Sequence, residues 1–142
     1  MCKKTLRTQI SSEKGPQSVG PYSLGIGVQS EAMIYLSGQL PSNVNESIKK
    51  QTMQVIDNIE ILLEEAGSSL SSVVKTTIFL ADMNDFDAMN QIYAIYFSHP
   101  YPARSCVAVS ALPKGAKIQI ECIATAQGLR EKEFEECNNC DE

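Results

Sequence analysis

A single histidine, His99, is all the imidazole in this chain of 142 residues. At the predicted end of a helix it reads most simply as a favourable partner for the helix dipole, and without a second ionisable group it is poor evidence of catalysis. Long apolar runs are missing too. None approaches the length of a membrane span, and the opening Met1-Cys2-Lys3-Lys4-Thr5-Leu6-Arg7 lacks the apolar stretch of a signal peptide. The expectation is a cytoplasmic protein with no membrane partner. A basic stripe is the third absence. Residues 1–127 hold ten basic and eleven acidic side chains, whereas residues 128–142 hold Arg130 and Lys132 against six acids. A nearly neutral body with an acidic tail offers nothing for counterion-release binding, so nucleic acid is not expected as a partner.

What is present describes an ordinary globular protein, 43% apolar and 20% charged. The length suits one core, giving one domain over residues 1–127 followed by an acidic tail, 128–142. The five cysteines are odd in number and irregularly spaced, and Cys106 and Cys122 fall inside predicted strands. Reduced thiols are therefore expected rather than a disulfide framework. Cys137 and Cys140 make one CxxC, half of a tetrahedral zinc site, and Cys2 is a remote third thiol; no metal is expected.

Turn signals and periodicity divide the body. Residues 5–10 fit an edge strand. Residues 23–29 and 33–37 fit two short strands, with Ser30, Glu31 and Ala32 as a hairpin connection. Asn45 is placed to cap a helix with an apolar stripe at Ile48, Val55, Ile56, Ile59, Leu62, Leu63 and Ala66, closed by Gly67 in a left-handed conformation. Residues 73–80 read as a β-branched strand. Asn84 is placed to open a second helix, with Asp87 completing a capping box. Phe86, Met89, Tyr93, Tyr96 and Phe97 form its buried stripe, and Pro100 stops it. Strands at 103–109 and 117–126 complete an order of β-β-β-α-β-α-β-β. Two helices then cover one face of a mixed sheet and leave the other bare.

The last two strands hold the chemistry. A side-chain period of two puts Arg104, Cys106 and Ala108 on one face of the first. In the second, Ile118, Ile120, Cys122 and Ala124 share one face, and Lys117, Gln119, Glu121 and Ile123 the other. Antiparallel pairing around Pro113-Lys114-Gly115 would set Arg104 near Glu121 and Cys106 near Gln119, with Arg104, Gln119 and Ile123 on the bare face. A guanidinium there either forms a structural ion pair with Glu121 or grips a ligand carboxylate through two parallel hydrogen bonds. The residues alone leave both readings open.

Six segments, in order and spacing, resemble the RidA family, also called YjgF or L-PSP proteins. They are Gly20-Pro21-Tyr22-Ser23, Ser37-Gly38-Gln39-Leu40-Pro41, residues 74–80, Asn84-Asp85-Phe86, Pro102-Ala103-Arg104-Ser105-Cys106-Val107, and residues 112–118. The resemblance covers residues 5–126. It implies a chorismate-mutase-like α+β fold, a mixed six-stranded sheet with two helices on one face, assembled as a homotrimer with a cleft at each subunit interface. It also implies hydrolytic deamination of reactive 2-imino acids or their enamines (2-iminobutanoate and 2-iminopropanoate) to 2-oxo acids and ammonia, without a cofactor. In that reading Arg104 grips the substrate carboxylate, Tyr22 stands in the cleft and Asn90 at its rim. Ser37 and Gly38, at a strand end, either meet a polar ligand through a hydroxyl and an uncovered backbone amide or simply form a turn. Cys106 lends its backbone carbonyl, not its thiol, to holding the attacking water.

Gln119 departs from the pattern, standing where the family typically carries a glutamate that orients or activates that water. Glutamine positions water through hydrogen bonds but cannot take a proton. This keeps a second reading in play, a non-catalytic member that binds small carboxylates. A ribonuclease or translation inhibitor, an activity attributed to some relatives, is disfavoured by the one histidine and the missing aromatic-basic surface. Segments 41–45 and 98–100 are shorter than is common in the family, and Tyr101 stands where phenylalanine is usual.

Overall fold

The computed structural model describes residues 6–14, 17–29 and 32–127. Cys2 and the acidic stretch 128–142, with Cys137 and Cys140, lie outside the described residues. In chain order the elements are β1 (Leu6–Ile10), β2 (Gly25–Gln29), β3 (Ala32–Gln39), α1 (Ile48–Glu65), β4 (Val73–Leu80), α2 (Phe86–Tyr96), β5 (Ala103–Ala108) and β6 (Ile118–Ala126). Short 3-10 turns occupy Leu70–Ser72, Met83–Asp85 and Pro113–Gly115. This is an α+β fold in the predicted order of elements. Among the described residues no helix is long and apolar enough to cross a membrane.

Both helix starts differ from the expected ones. Ser47, not Asn45, caps α1: its hydroxyl accepts from the Lys50 N–H at 3.3 Å. Asn45 sits two residues early and is held in the preceding turn, its N–H donating to Asn43 Oδ1 at 3.0 Å. The capping box of Asn84 and Asp87 is not formed. Asp82 instead accepts from the Asn84 N–H at 2.9 Å and opens the 3-10 turn from which α2 departs. The end of α1 is as expected. Gly67 has φ 84°, and the N–H groups of Ser68 and Gly67 reach the carbonyls of Leu63 (2.7 Å) and Glu64 (3.1 Å), a Schellman closure.

The main sheet has the order β3-β6-β4-β5, so the expected β5–β6 hairpin does not exist. β4 lies between the two, parallel to β5 and antiparallel to β6. The cause is the β4-α2-β5 crossover, which lays β5 parallel along one edge of β4 and leaves the other edge to β6. β2 does not pair with β3 either. It pairs with β1, and the expected six-stranded sheet is divided into four strands and two. A parallel bridge between Ser23 and Ala103 joins the pieces at the outer edge of β5, where the Ser23 N–H donates to the Pro102 carbonyl at 2.9 Å. The buried Ser23 hydroxyl donates to the Tyr101 carbonyl as well.

Both helices cover one face of the main sheet. Val55, Ile56, Ile59 and Leu63 of α1 and Met89 and Tyr93 of α2 are wholly buried with Ile78, Leu80, Ile118, Ile120 and Ala124 of the strands. Each large aliphatic group contributes about 1.5–3 kcal/mol, and truncating Ile120 to alanine would cost about 2–5 kcal/mol. Gln51 is equally buried within the α1 stripe. Its Nε2 donates to the Val44 and Glu46 carbonyls at 3.0 and 2.9 Å, and its Oε1 accepts from the Lys117 N–H at 2.9 Å. Both ends of the amide are used, tying the start of α1 to the start of β6. The other sheet face is open: Tyr35 is 72% exposed and Val107 47%.

Candidate functional site

Strand register decides which groups meet. Thr76 of β4 is paired with Arg104 on one side and Cys122 on the other, so these three share the helix-covered face. Thr77 is paired with Ser105 and Glu121, and Phe79 with Val107 and Gln119, all on the open face. Arg104 therefore does not stand on the bare face beside Gln119 and Ile123, and the Glu121 ion pair is not made. With β4 interposed, positions expected to be neighbours fall on opposite faces.

Arg104 is half-buried at the outer edge of β5. Its Nη1 donates to Asn90 Oδ1 at 2.5 Å. Three rings surround the guanidinium carbon, with centroids at 5.0 Å (Tyr93), 5.4 Å (Tyr22) and 5.6 Å (Phe86), each within cation–π range. Phe86, Asn90 and Tyr93 follow one another at helical spacing and so line one face of α2. Tyr22 arrives from the segment anchored by Ser23, and Ser18 Oγ donates to its carbonyl at 2.6 Å. Gly20 borders both side chains: a Cβ there would make ordinary contact, 3.6 Å from Tyr22 Cε1 and 3.8 Å from Asn90 Nδ2. Burial lowers the pKa of the guanidinium, with Tyr93, Cys106 and Tyr22 acting the other way. An arginine keeps its charge regardless.

Cys106 is no activated nucleophile. Burial raises its thiol pKa, and the opposing effect of Arg104 does not reverse that. Its carbonyl is placed differently. The Val109 N–H donates to the Leu80 carbonyl at 2.9 Å, so odd positions of this segment turn their backbone groups to β4. By alternation the Cys106 carbonyl faces the outer edge, the side on which the Pro102 carbonyl meets Ser23.

Ser37, Gly38 and Gln119 form a second group. The β3–β6 register shifts between Leu36 and Gln39, a bulge that carries Ser37 and Gly38. The Gln119 side chain lies over Gly38, where a Cβ would come 1.9 Å from Nε2. Beside this group the open face holds a concavity of about 340 Å³ lined by residues that include Tyr35, Ser37, Lys75, Thr77, Glu121 and Ile123. Lys75, one of its lining residues, donates from Nζ to Ser105 Oγ at 2.9 Å.

The seven expected site residues thus fall into two groups within one copy. Tyr22, Asn90, Arg104 and Cys106 gather at the outer edge of β5, and Ser37, Gly38 and Gln119 lie on the open face across β4. Asn90, expected at the cleft rim, holds Arg104 directly. Phe86 and Tyr93 were expected only as packing residues, yet their spacing from Asn90 already put them on its face of α2. Thr76 had no local signal. His99 packs against Tyr101, ring centroids 4.2 Å apart.

Residues 12–126 match the protein family described as endoribonuclease L-PSP. The chain is 50% identical over 82% of its length to the protein named Reactive Intermediate Deaminase A, chloroplastic, of Arabidopsis thaliana, and spans 64% of that relative. It is 42% identical over 84% of its length to the 2-iminobutanoate/2-iminopropanoate deaminase of Homo sapiens, spanning 90% of it. Among solved structures, RidA from an Antarctic Psychrobacter species superposes with a TM-score of 0.64 at 40% identity, covering 83% of this chain and 98% of that one. Yeast Mmf1 superposes with a TM-score of 0.65 at 36% identity, covering 85% and 99%.

Proposed function

The chain belongs to the endoribonuclease L-PSP family, the RidA or YjgF proteins, and from that membership we propose that it hydrolyses 2-imino acids such as 2-iminobutanoate and 2-iminopropanoate. The observation that carries the reading is the state of Arg104. Its guanidinium is half-buried in a cage of three rings, and among the described residues no carboxylate pairs with it. A cation held this way, without its own counterion, suits the carboxylate of a small ligand with an apolar side chain.

The chemistry asks little of the protein. Water adds to C2 of the imine, the C–N bond of the resulting carbinolamine breaks, and both water protons end on the departing nitrogen. The products are a 2-oxo acid and ammonia. Arg104 holds the carboxylate; the Cys106 carbonyl and the Gln119 amide position water. Gln119 accepts and donates hydrogen bonds but takes no proton, so the rate gain comes from placement.

The two groups of site residues lie on separate surfaces of one copy, so a complete cleft needs a second copy. The proposal therefore includes a homotrimer, in which the outer edge of β5 on one subunit meets the open face of the next. Cytosolic residence belongs to the same proposal, supported by the free thiols of Cys106 and Cys122. Gln119 favours a second reading, a non-catalytic member that binds 2-oxo or 2-imino acids.

Ammonia release during threonine turnover by a threonine dehydratase tests both. Added protein is expected to accelerate it, and the Arg104→Ala variant is expected to give the buffer rate. Wild-type protein that binds 2-oxobutanoate without acceleration establishes the second reading. Neither binding nor acceleration overturns both.

A further inference from the structure

Arginine has a long, flexible stem, and recognition of a carboxylate by two parallel hydrogen bonds fails when the guanidinium plane turns. The Asn90 hydrogen bond at Nη1 fixes one nitrogen and leaves rotation about it. The nearest of the three rings is that of Tyr93, at 5.0 Å. Tyr22 and Phe86 are half-buried, whereas Tyr93 is 0% exposed. It is also held at both ends. Its ring stacks on Phe97 with centroids 4.3 Å apart, and its hydroxyl shares a 2.9 Å hydrogen bond with Oγ1 of Thr76, itself 0% exposed. Thr76 stands in register beside Arg104. The contacts close a ring from β4 to α2 to β5 and back to β4.

Core packing alone does not account for this arrangement. A phenylalanine would fill the same space without burying a hydroxyl, whose desolvation Thr76 has to offset. We infer that Tyr93 is a positioning residue for this site: its ring, tethered through the hydroxyl to Thr76, fixes the plane of the Arg104 guanidinium for carboxylate recognition. The inference rests on the reading of Arg104 as the carboxylate holder. Burial pushes the Tyr93 hydroxyl up to about 12, so it stays neutral and hydrogen-bonded throughout the physiological range.

The test reads Arg104 in the full chain by ¹⁵N NMR of its guanidinium, assigned with Arg104→Lys. Separate, slowly exchanging Nη signals are expected in the wild type, merging in Tyr93→Leu. In the same variant the Kd and KM for carboxylate ligands should rise about tenfold, the scale of one ring–cation contact, with kcat changed less than about twofold. Unchanged Nη signals in a folded Tyr93→Leu protein overturn the inference. Should Tyr93→Leu fail to fold, Tyr93→Phe, which keeps the ring and loses the tether, decides: faster rotation supports the inference and unchanged rotation overturns it. If the signals merge in the variant but wild type binds no 2-oxobutanoate, Tyr93 still orders Arg104 and it is the carboxylate reading that fails.

Discussion

The side chain of Gln119 lies directly across the Cα of Gly38. A Cβ at residue 38 would fall 1.9 Å from Nε2, 2.7 Å from Cδ and 2.9 Å from Cγ of the glutamine, so no other residue fits without moving the amide. The atoms in the way belong to the far end of a flexible side chain. Gly38→Ala should therefore cost only about 1 kcal/mol of stability while displacing Gln119 from the bulge. Imine hydrolysis should fall about tenfold or more if the amide positions water. A melting temperature within a few degrees of wild type alongside intact hydrolysis would remove Gln119 from the site.

Gln119→Glu should raise the rate of 2-iminobutanoate hydrolysis. A carboxylate restores a group able to accept a proton, worth about 10²–10⁴-fold where that transfer limits the rate. Glu121 shares the same face and is exposed, and its like charge opposes ionisation of the new carboxylate, so the gain should belong to the lower part of that range. Steady-state rates at matched protein concentration check this. No gain in an already active protein would mean that proton transfer to this position was never needed.

Alkaline pH should weaken the fold between about pH 9 and 12. Burial raises the Cys122 thiol from 9.0 to about 12, Glu121 adding to the effect, and raises the Tyr93 hydroxyl from 10.0 to about 12. Each group has a folded value above its unfolded one, so its contribution is complete below the unfolded pKa and is lost as pH rises through the folded one. The slope is at most about 1.4 kcal/mol per pH unit for each titrating group. Urea midpoints measured from pH 8 to 11 should begin to fall near pH 9 in wild type and near pH 10 in Cys122→Ala. Identical onsets would mean that the Cys122 shift is not expressed.

Light scattering at micromolar concentration should give three times the mass of one chain. Tyr35, 72% exposed on the open face beside Ile123 of β6, is the residue to charge. Tyr35→Asp should yield a folded monomer that is inactive, because in the proposed assembly a complete cleft needs two copies. A monomeric wild type with full activity would refute the interfacial cleft.

Much of the fold was written in local periodicity. The β-branched residues of 73–80 marked β4, the alternation along 117–126 marked β6, and the apolar stripe closed by Gly67 marked α1. The caps were missed by small margins because Asn45 and Ser47 carry equally competent side chains two residues apart, and contacts in the turn choose between them. The face of Arg104 was illegible for a different reason. Alternation assigns residues to two faces but does not say which strand lies beside which. The crossover through α2 decides that, and it separates Arg104 from Glu121. The candidate site residues were named by resemblance, and their grouping came from the register. Tyr93 read as one more core aromatic because its hydroxyl partner, Thr76, lies on another element. Gln51 was hidden likewise, since all three of its partners are backbone groups.

The division of the site into two surfaces on either side of β4 has a corollary at the level of alleles. In the proposed assembly Arg104→Ala damages the half presented at the outer edge of β5, and Gly38→Val damages the half on the open face. Each variant alone leaves every interface with one broken half. In a population assembled at random from equal amounts of the two, about one interface in four brings an intact half from each parent together. Two silent gene copies would then complement one another, and the cell carrying both would recover about a quarter of the normal activity.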